Sequence, residues 1–212
     1  MLREAALALS LFAAGAAAAP RLETTGPLTD TSAPESVRSA LEPAGQRVLL
    51  AEGPWCEVWL RRNIPAGKHS ATGALRTDLG VSTFVGMIRF LTAATDFRGQ
   101  AIRPGLYTLR YARIPEDGNH LGVSEYPDFL LLVPLANDPD PGARWKLEEL
   151  VKLSTNATGT RHPGVLSLTR PAGESFPSVT VNEAGHVVLH MEPKIGATEA
   201  PIALVVKGRA PQ

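Results

Sequence analysis

Apolar and polar residues alternate along most of this chain in short runs, broken at close intervals by proline or glycine. The clearest run sets Tyr107, Leu109 and Tyr111 against Thr108, Arg110 and Ala112. A period of two is that of a strand with two unlike faces. Pro104-Gly105 leads into it as a turn dipeptide, and Pro115 ends it. A second run, Tyr126 to Val133, carries Phe129-Leu130-Leu131-Leu132-Val133 with no alternation. It predicts a central strand buried on both faces and closed by Pro134.

The same reading predicts strands at Arg47 to Ala51 and Trp55 to Arg61, joined by Glu52-Gly53-Pro54, and at Ser82 to Leu91. Val165 to Thr169, Ser178 to Asn182, His186 to Met191 and Ile202 to Lys207 complete the set, with a hairpin turn at Asn182-Glu183-Ala184-Gly185. In the Trp55 strand, Cys56, Val58 and Leu60 share one face, and Trp55, Glu57, Trp59 and Arg61 share the other. Two indoles on that polar face lie either under a covering layer or on an aromatic ligand platform.

Helical spacing is rare. Leu147, Leu150, Val151 and Ser154 follow i, i+3, i+4, i+7 and predict a helix over 145–154. A short N-terminal helix is predicted between Pro34 and Glu42, stopped by Pro43 and Gly45. About nine to ten strands, one domain helix and no βαβ alternation make the fold mainly β, and the expected form is an antiparallel β-sandwich. The 18 prolines and 19 glycines fit that class.

Residues 1–19 have the three-part layout of a secretory signal peptide: Arg3, an apolar run from Ala5 to Ala14, then small residues from Ala16 to Ala19. The expected address is therefore periplasmic or extracellular. Thr, Pro, Gly and Ser make 20–45 read as a flexible lead-in, and 46–212 as a single β-sandwich domain. No later apolar run reaches the ~18 residues of a membrane span, so a soluble mature chain is expected. Lys and Arg total 21, as do Asp and Glu, and a neutral chain is a poor nucleic-acid binder. Residues 57–113 hold nine Lys/Arg against three Asp/Glu, while 114–149 hold two against eight. On separate faces these would form a dipole; on interleaved strands they neutralise locally. Cys56 is the single cysteine, so no internal disulfide forms, and its apolar neighbours predict burial.

Arg103-Pro104-Gly105-Leu106-Tyr107-Thr108-Leu109 is similar to the Pro-Gly-x-Tyr-Thr-Leu strand entry of secreted β-sandwich modules, the transthyretin-like and collagen-adhesin B-type repeats among them. The chain also resembles uncharacterised exported bacterial proteins in which such an entry precedes an Asp-Gly-Asn-His loop and an Asp-Phe-Leu-Leu-Leu strand. The resemblance implies a fold and no activity.

Candidate chemistry centres on the loop between the two longest strands. Asp117, Asn119, His120 and Glu125, with Tyr126 and Asp128 beside them, offer donors, acceptors and an imidazole as a tentative ligand-binding set. An unknown small ligand or protein partner is expected there, and the leading reading is a non-enzymatic binding module. The alternative is a cell-envelope hydrolase or metal-dependent enzyme centred on 116–128, using His120 with Asp117 or Glu125. No catalytic residue, metal site or cofactor is assigned. His186 and His190 stand about 13 Å apart if extended, too far to share a metal. Asn137, Asp138 and Asp140 match half of a calcium loop, but prolines interrupt it and the distal Glu is missing.

Overall fold

The computed structural model describes residues 18–69, 72–115 and 124–210. The signal-peptide reading thus falls mostly outside the described residues. β1 (Arg21–Thr25) comes first, then α1 (Glu35–Ala40), β2 (Gly45–Leu50), β3 (Gly53–Leu60) and β4 (Phe84–Phe90). The two-residue strands β5 (Ala94–Thr95) and β6 (Ala101–Ile102) precede β7 (Gly105–Arg113) and β8 (Asp128–Pro134). Next come α2 (Leu147–Thr158), β9 (Gly164–Thr169), β10 (Ser178–Val181) and β11 (Val187–Met191). A second short pair, β12 (Lys194–Ile195) and β13 (Thr198–Glu199), leads to β14 (Ile202–Lys207).

The protein is mainly β. Ten strands form one antiparallel sheet in the order β1-β2-β3-β4-β7-β8-β9-β14-β11-β10. It curls until β1 and β10, its two edges, touch, so the sheet is nearly closed into a barrel. The strands that alternation alone reads as two stacked layers are hydrogen-bonded into this single sheet. β9 makes the join: residues 164–167 pair with β8, whereas Leu168 and Thr169 pair with β14. No helix among the described residues is long and apolar enough to cross a membrane.

The main core fills the space inside the curl. Val58, Ile88, Leu109 and Leu132 from one half meet Leu189, Leu204 and Val206 from the other. Burial of each such side chain contributes roughly 1.5–3 kcal/mol. The outer face carries three further covers. The N-terminal segment and α1 lie over Trp59, Phe84 and Met87, α2 lies over Leu131 and Val133, and Phe97 packs on Val188, Ala203 and Val205. This explains why β8 does not alternate. Leu130 and Leu132 belong to the main core, while Leu131 and Val133 meet Leu150 of α2.

Three elements depart from the sequence reading. The lead-in is built into the fold: β1 pairs with β2 from Arg21↔Leu49 to Thr25↔Gly45, and Trp59 Nε1 donates to the Gly26 carbonyl at 2.9 Å. α2 continues past Ser154 to Thr158, because Ala157 is buried beside Ser154 and Gly159 closes the helix at φ 67. The third departure is a bulge. Val48 pairs with Cys56 and Leu49 with Pro54, leaving Trp55 as the extra residue. A bulge re-aims its side chain, and Trp55 turns into the main core, edge-on to Phe90 at 6.2 Å with Nε1 donating to the Val206 carbonyl at 2.9 Å. Trp59 remains on the outer face beneath the N-terminal segment. The two indoles therefore never share a surface.

Charges interleave. Glu57 stands between Arg47 of β2 and Arg89 of β4, its register partners, and pairs with both at 2.6 and 3.6 Å.

Candidate functional site

Of the six residues singled out by sequence, Asp117, Asn119 and His120 lie outside the described residues. Glu125 and Tyr126 pair with each other, the phenol donating to Glu125 Oε1 at 2.7 Å. That bond, ahead of a small burial effect, raises the Tyr126 hydroxyl above its ordinary pKa. Arg170 lies over the same ring at 5.5 Å.

Asp128 does something else. It is fully buried at the start of β8, and its carboxylate accepts the Leu75 and Arg76 amides at 2.7 and 3.0 Å and the Tyr111 hydroxyl at 2.6 Å. Burial first, and the bond to Asp128 second, push the Tyr111 phenol far up. These bonds tie down the long connection between β3 and β4, whose Ile64 and Leu79 complete the main core. The carboxylate is thereby occupied by the chain's own donors instead of a ligand.

A second buried carboxylate comes from the stretch that matches half of a calcium loop. Asp138 receives Arg110 in a two-pronged ion pair, Nε to Oδ2 and Nη2 to Oδ1, both at 2.7 Å. Neither side chain is exposed to solvent. Thr108 Oγ1 adds a bond to Oδ2 at 2.6 Å and Trp145 Nε1 one to Oδ1 at 3.3 Å. Arg110 spends its remaining donors on the carbonyls of Ser82, Ala143 and Asp140. Among the described residues no buried side-chain nitrogen or oxygen lacks a partner. This cluster fastens the 138–145 segment to the sheet.

The two histidines near β11 diverge, as extended backbone requires. His186 Nε2 meets the Arg209 carbonyl at 2.9 Å. His190 is buried; its Nδ1 accepts the Ala172 amide at 3.3 Å and its Nε2 meets Thr180 Oγ1 at 2.8 Å. An accepting Nδ1 assigns the proton to Nε2. Burial holds the imidazole below its ordinary pKa. The unfolded chain then binds this proton more readily, so the stabilisation is present above the unfolded pKa, about 6.5, and is lost as pH falls through the folded value. Unfolding temperature should drop between pH 7.5 and 5, and His190→Gln should flatten that slope. An unchanged slope in the variant would show that other groups govern it. Cys56 is buried, and burial followed by the charge of Glu57 pushes its thiol far up, which unfits it as a nucleophile. Among the described residues no three His, Cys, Asp or Glu side chains gather to hold a metal ion.

Among the described residues, a surface feature suited to a ligand is a cleft of about 530 Å³ outside the main core. Its floor is apolar: Phe129 of β8, Val165 of β9, and Leu147 and Val151 of α2. Each of these four is only half-buried by the protein itself. Its far wall is the turn between β5 and β6, held along the stretch of β9 that pairs with β8 on one edge and is not reached by β14 on the other. There the Phe97 amide donates to the Val165 carbonyl at 2.8 Å, and the Val165 amide donates to Asp96 Oδ2 at 3.2 Å. Asp96 also accepts the Arg98 and Gln100 amides, and burial raises its pKa despite these bonds. The chain after β14 closes the side, with the Ala210 amide donating to the Phe97 carbonyl at 2.7 Å. Walls fixed by backbone bonds keep such a site preformed.

Tyr126 and Asp128 line this cleft, as do Pro115 and Ser124 on either side of the loop that sequence singled out. Phe97, Leu147, Val165 and Arg209 were missed. They are far apart in the chain, and no local pattern marks them as a group. The chain matches no protein-family model, no curated protein and no solved structure.

Proposed function

We propose that this protein is an exported, soluble, non-enzymatic binding module that takes a small ligand in the cleft between α2, β9 and the β5–β6 turn. Export rests on the leader-like residues 1–19, which direct the chain to the periplasm or the exterior. In this reading the two halves of the curled sheet face each other across the core as the layers of a β-sandwich do. Connecting segments at their margin supply the working surface.

The observation that carries it is the floor. Four apolar side chains from three elements converge half-covered on one cleft, whose volume falls in the ~300–1,000 Å³ range that buries a drug-sized ligand. Scattered surface leucines and valines are ordinary, whereas a contiguous walled set marks a binding surface.

The test fills the cleft. Val151 lies half-buried at the edge of the apolar face of α2, beside the Leu131–Leu150 cluster, and lines the cleft, so Val151→Trp puts an indole into the cleft from a partly exposed position. A thermal-shift screen of small amphipathic compounds should give stabilising hits with wild type that vanish in the variant. Hits that persist equally in Val151→Trp, or a screen without hits, would contradict the proposal.

A further inference from the structure

We infer that the ligand of this cleft is a small amphipathic anion: an aliphatic or aromatic carbon body that ends in a carboxylate. The inference rests on the binding reading above and names the chemistry of its occupant.

The floor selects the body. Phe129, Leu147, Val151 and Val165 offer no hydrogen bond from their side chains, so the buried part of the ligand must itself be apolar. The rim selects the charge. Arg98, Arg113, Arg161 and Arg209 all line the cleft, from four separate segments: the β5–β6 turn, the end of β7, the loop after α2 and the tail after β14. The one carboxylate among the described lining residues is that of Asp128, already engaged by Leu75, Arg76 and Tyr111. Basic and acidic residues balance over the whole chain, 21 against 21. Four guanidiniums around one mouth are therefore a local concentration.

Two of these guanidiniums are at hand. The side chains of Arg98 and Arg161 are exposed and, among the described residues, have no hydrogen-bond or ion-pair partner. Arg209 donates one long bond, to the Gly99 carbonyl at 3.3 Å. Isolated surface arginines are ordinarily just solvated, and their pairing is worth little. Here they stand at the edge of an apolar floor, where a bound ligand displaces water and strengthens the charge interaction. A guanidinium also meets a carboxylate through two parallel bonds, which fixes the ligand's orientation.

The experiment is isothermal titration of the full mature chain, each probe kept below its micelle-forming concentration. Decanoate and 2-naphthoate separate the aliphatic from the aromatic source of the same chemistry; decan-1-ol and decyltrimethylammonium keep the body and change the charge. The expected result is that at least one carboxylate binds tenfold or more tightly than both controls and weakens as salt is raised. Arg98→Glu/Arg161→Glu, at two exposed positions, should lose that tenfold and leave decan-1-ol unchanged. If the double variant fails to fold, the salt dependence of wild-type binding decides the same point.

Decan-1-ol or the cation binding as tightly as the carboxylates, and losing that binding in Val151→Trp, would overturn the inference while leaving the cleft a binding site. No binding by any probe would overturn both. Carboxylate binding seen only after Glu116→Gln/Asp117→Asn would also overturn the inference, because the chain's own acids, next in sequence to Pro115 of the rim, would then be what the arginines serve.

Discussion

Asp138→Ala should cost the fold about 3–5 kcal/mol, a large share of the roughly 5–15 kcal/mol that holds a domain together. The truncation leaves the Arg110 guanidinium with no opposite charge and no solvent, since both side chains are fully buried. Bonds from Arg110 to the Ser82, Ala143 and Asp140 carbonyls survive the change, but carbonyl dipoles only partly offset a buried charge. Replacing both partners with apolar residues, Arg110→Met with Asp138→Leu, removes the charge along with its counter-charge. The double variant should therefore be more stable than the sum of the single losses implies. Urea unfolding of the three variants measures this. A loss below about 1 kcal/mol in Asp138→Ala would match an exposed pair and not a buried one.

Trp59→Ala should have an effect of the same order, about 3–5 kcal/mol, with a local signature. The indole lies between the sheet and the N-terminal segment, in contact with a cluster that includes Leu28, Val37 and Leu41. Its Nε1 bond to Gly26 holds that segment down, and Arg89 stands 5.7 Å from the ring centre. The ring also lies flat on β2: a Cβ on Gly45 would fall 2.4 Å from Nε1, which is why that position is glycine. Removing the indole empties the space under residues 26–41 and frees β1. Hydrogen exchange should rise most at residues 21–41, and protease should cut there first, whereas Trp55→Ala should open the main core instead. Uniform loosening in Trp59→Ala would mean that the segment is not a separately latched cover.

The elements that could be read from sequence are those whose side-chain period is set locally. β7 and β8 were legible because alternation in one and its absence in the other follow from what covers each face. α2 was legible as far as Ser154. Its last turn was not, since Thr155 and Asn156 read as loop until Ala157 is seen to be buried. β1 escaped because Leu22 is the sole large apolar residue in Arg-Leu-Glu-Thr-Thr, and its strand state depends on pairing with β2. Trp55 was placed on the wrong face because one bulge reverses the inside–outside order that strict alternation assumes.

The candidate site was harder for the same reason carried further. Glu125, Tyr126 and Asp128 are neighbours in sequence with two different fates: a surface pair for the first two and a buried clamp for the third. Nothing local separates Asp128 from its neighbours, because its partners Leu75, Arg76 and Tyr111 come from other segments. Arg110 and Asp138 likewise meet across 28 positions. The cleft is wholly a product of the curl, which carries the β5–β6 turn, α2 and the end of β14 to one place.

The proposed function requires that this cleft hold a ligand. Amide spectra of the nitrogen-15-labelled chain, recorded while the tightest compound of the thermal-shift screen is titrated in, test it most directly. Saturable shifts should gather at Phe97, Arg98, Val151, Val165 and Ala210, with Thr24, Trp55 and His190 unmoved. Shifts gathered elsewhere on the sheet, or shifts that never saturate, would contradict it.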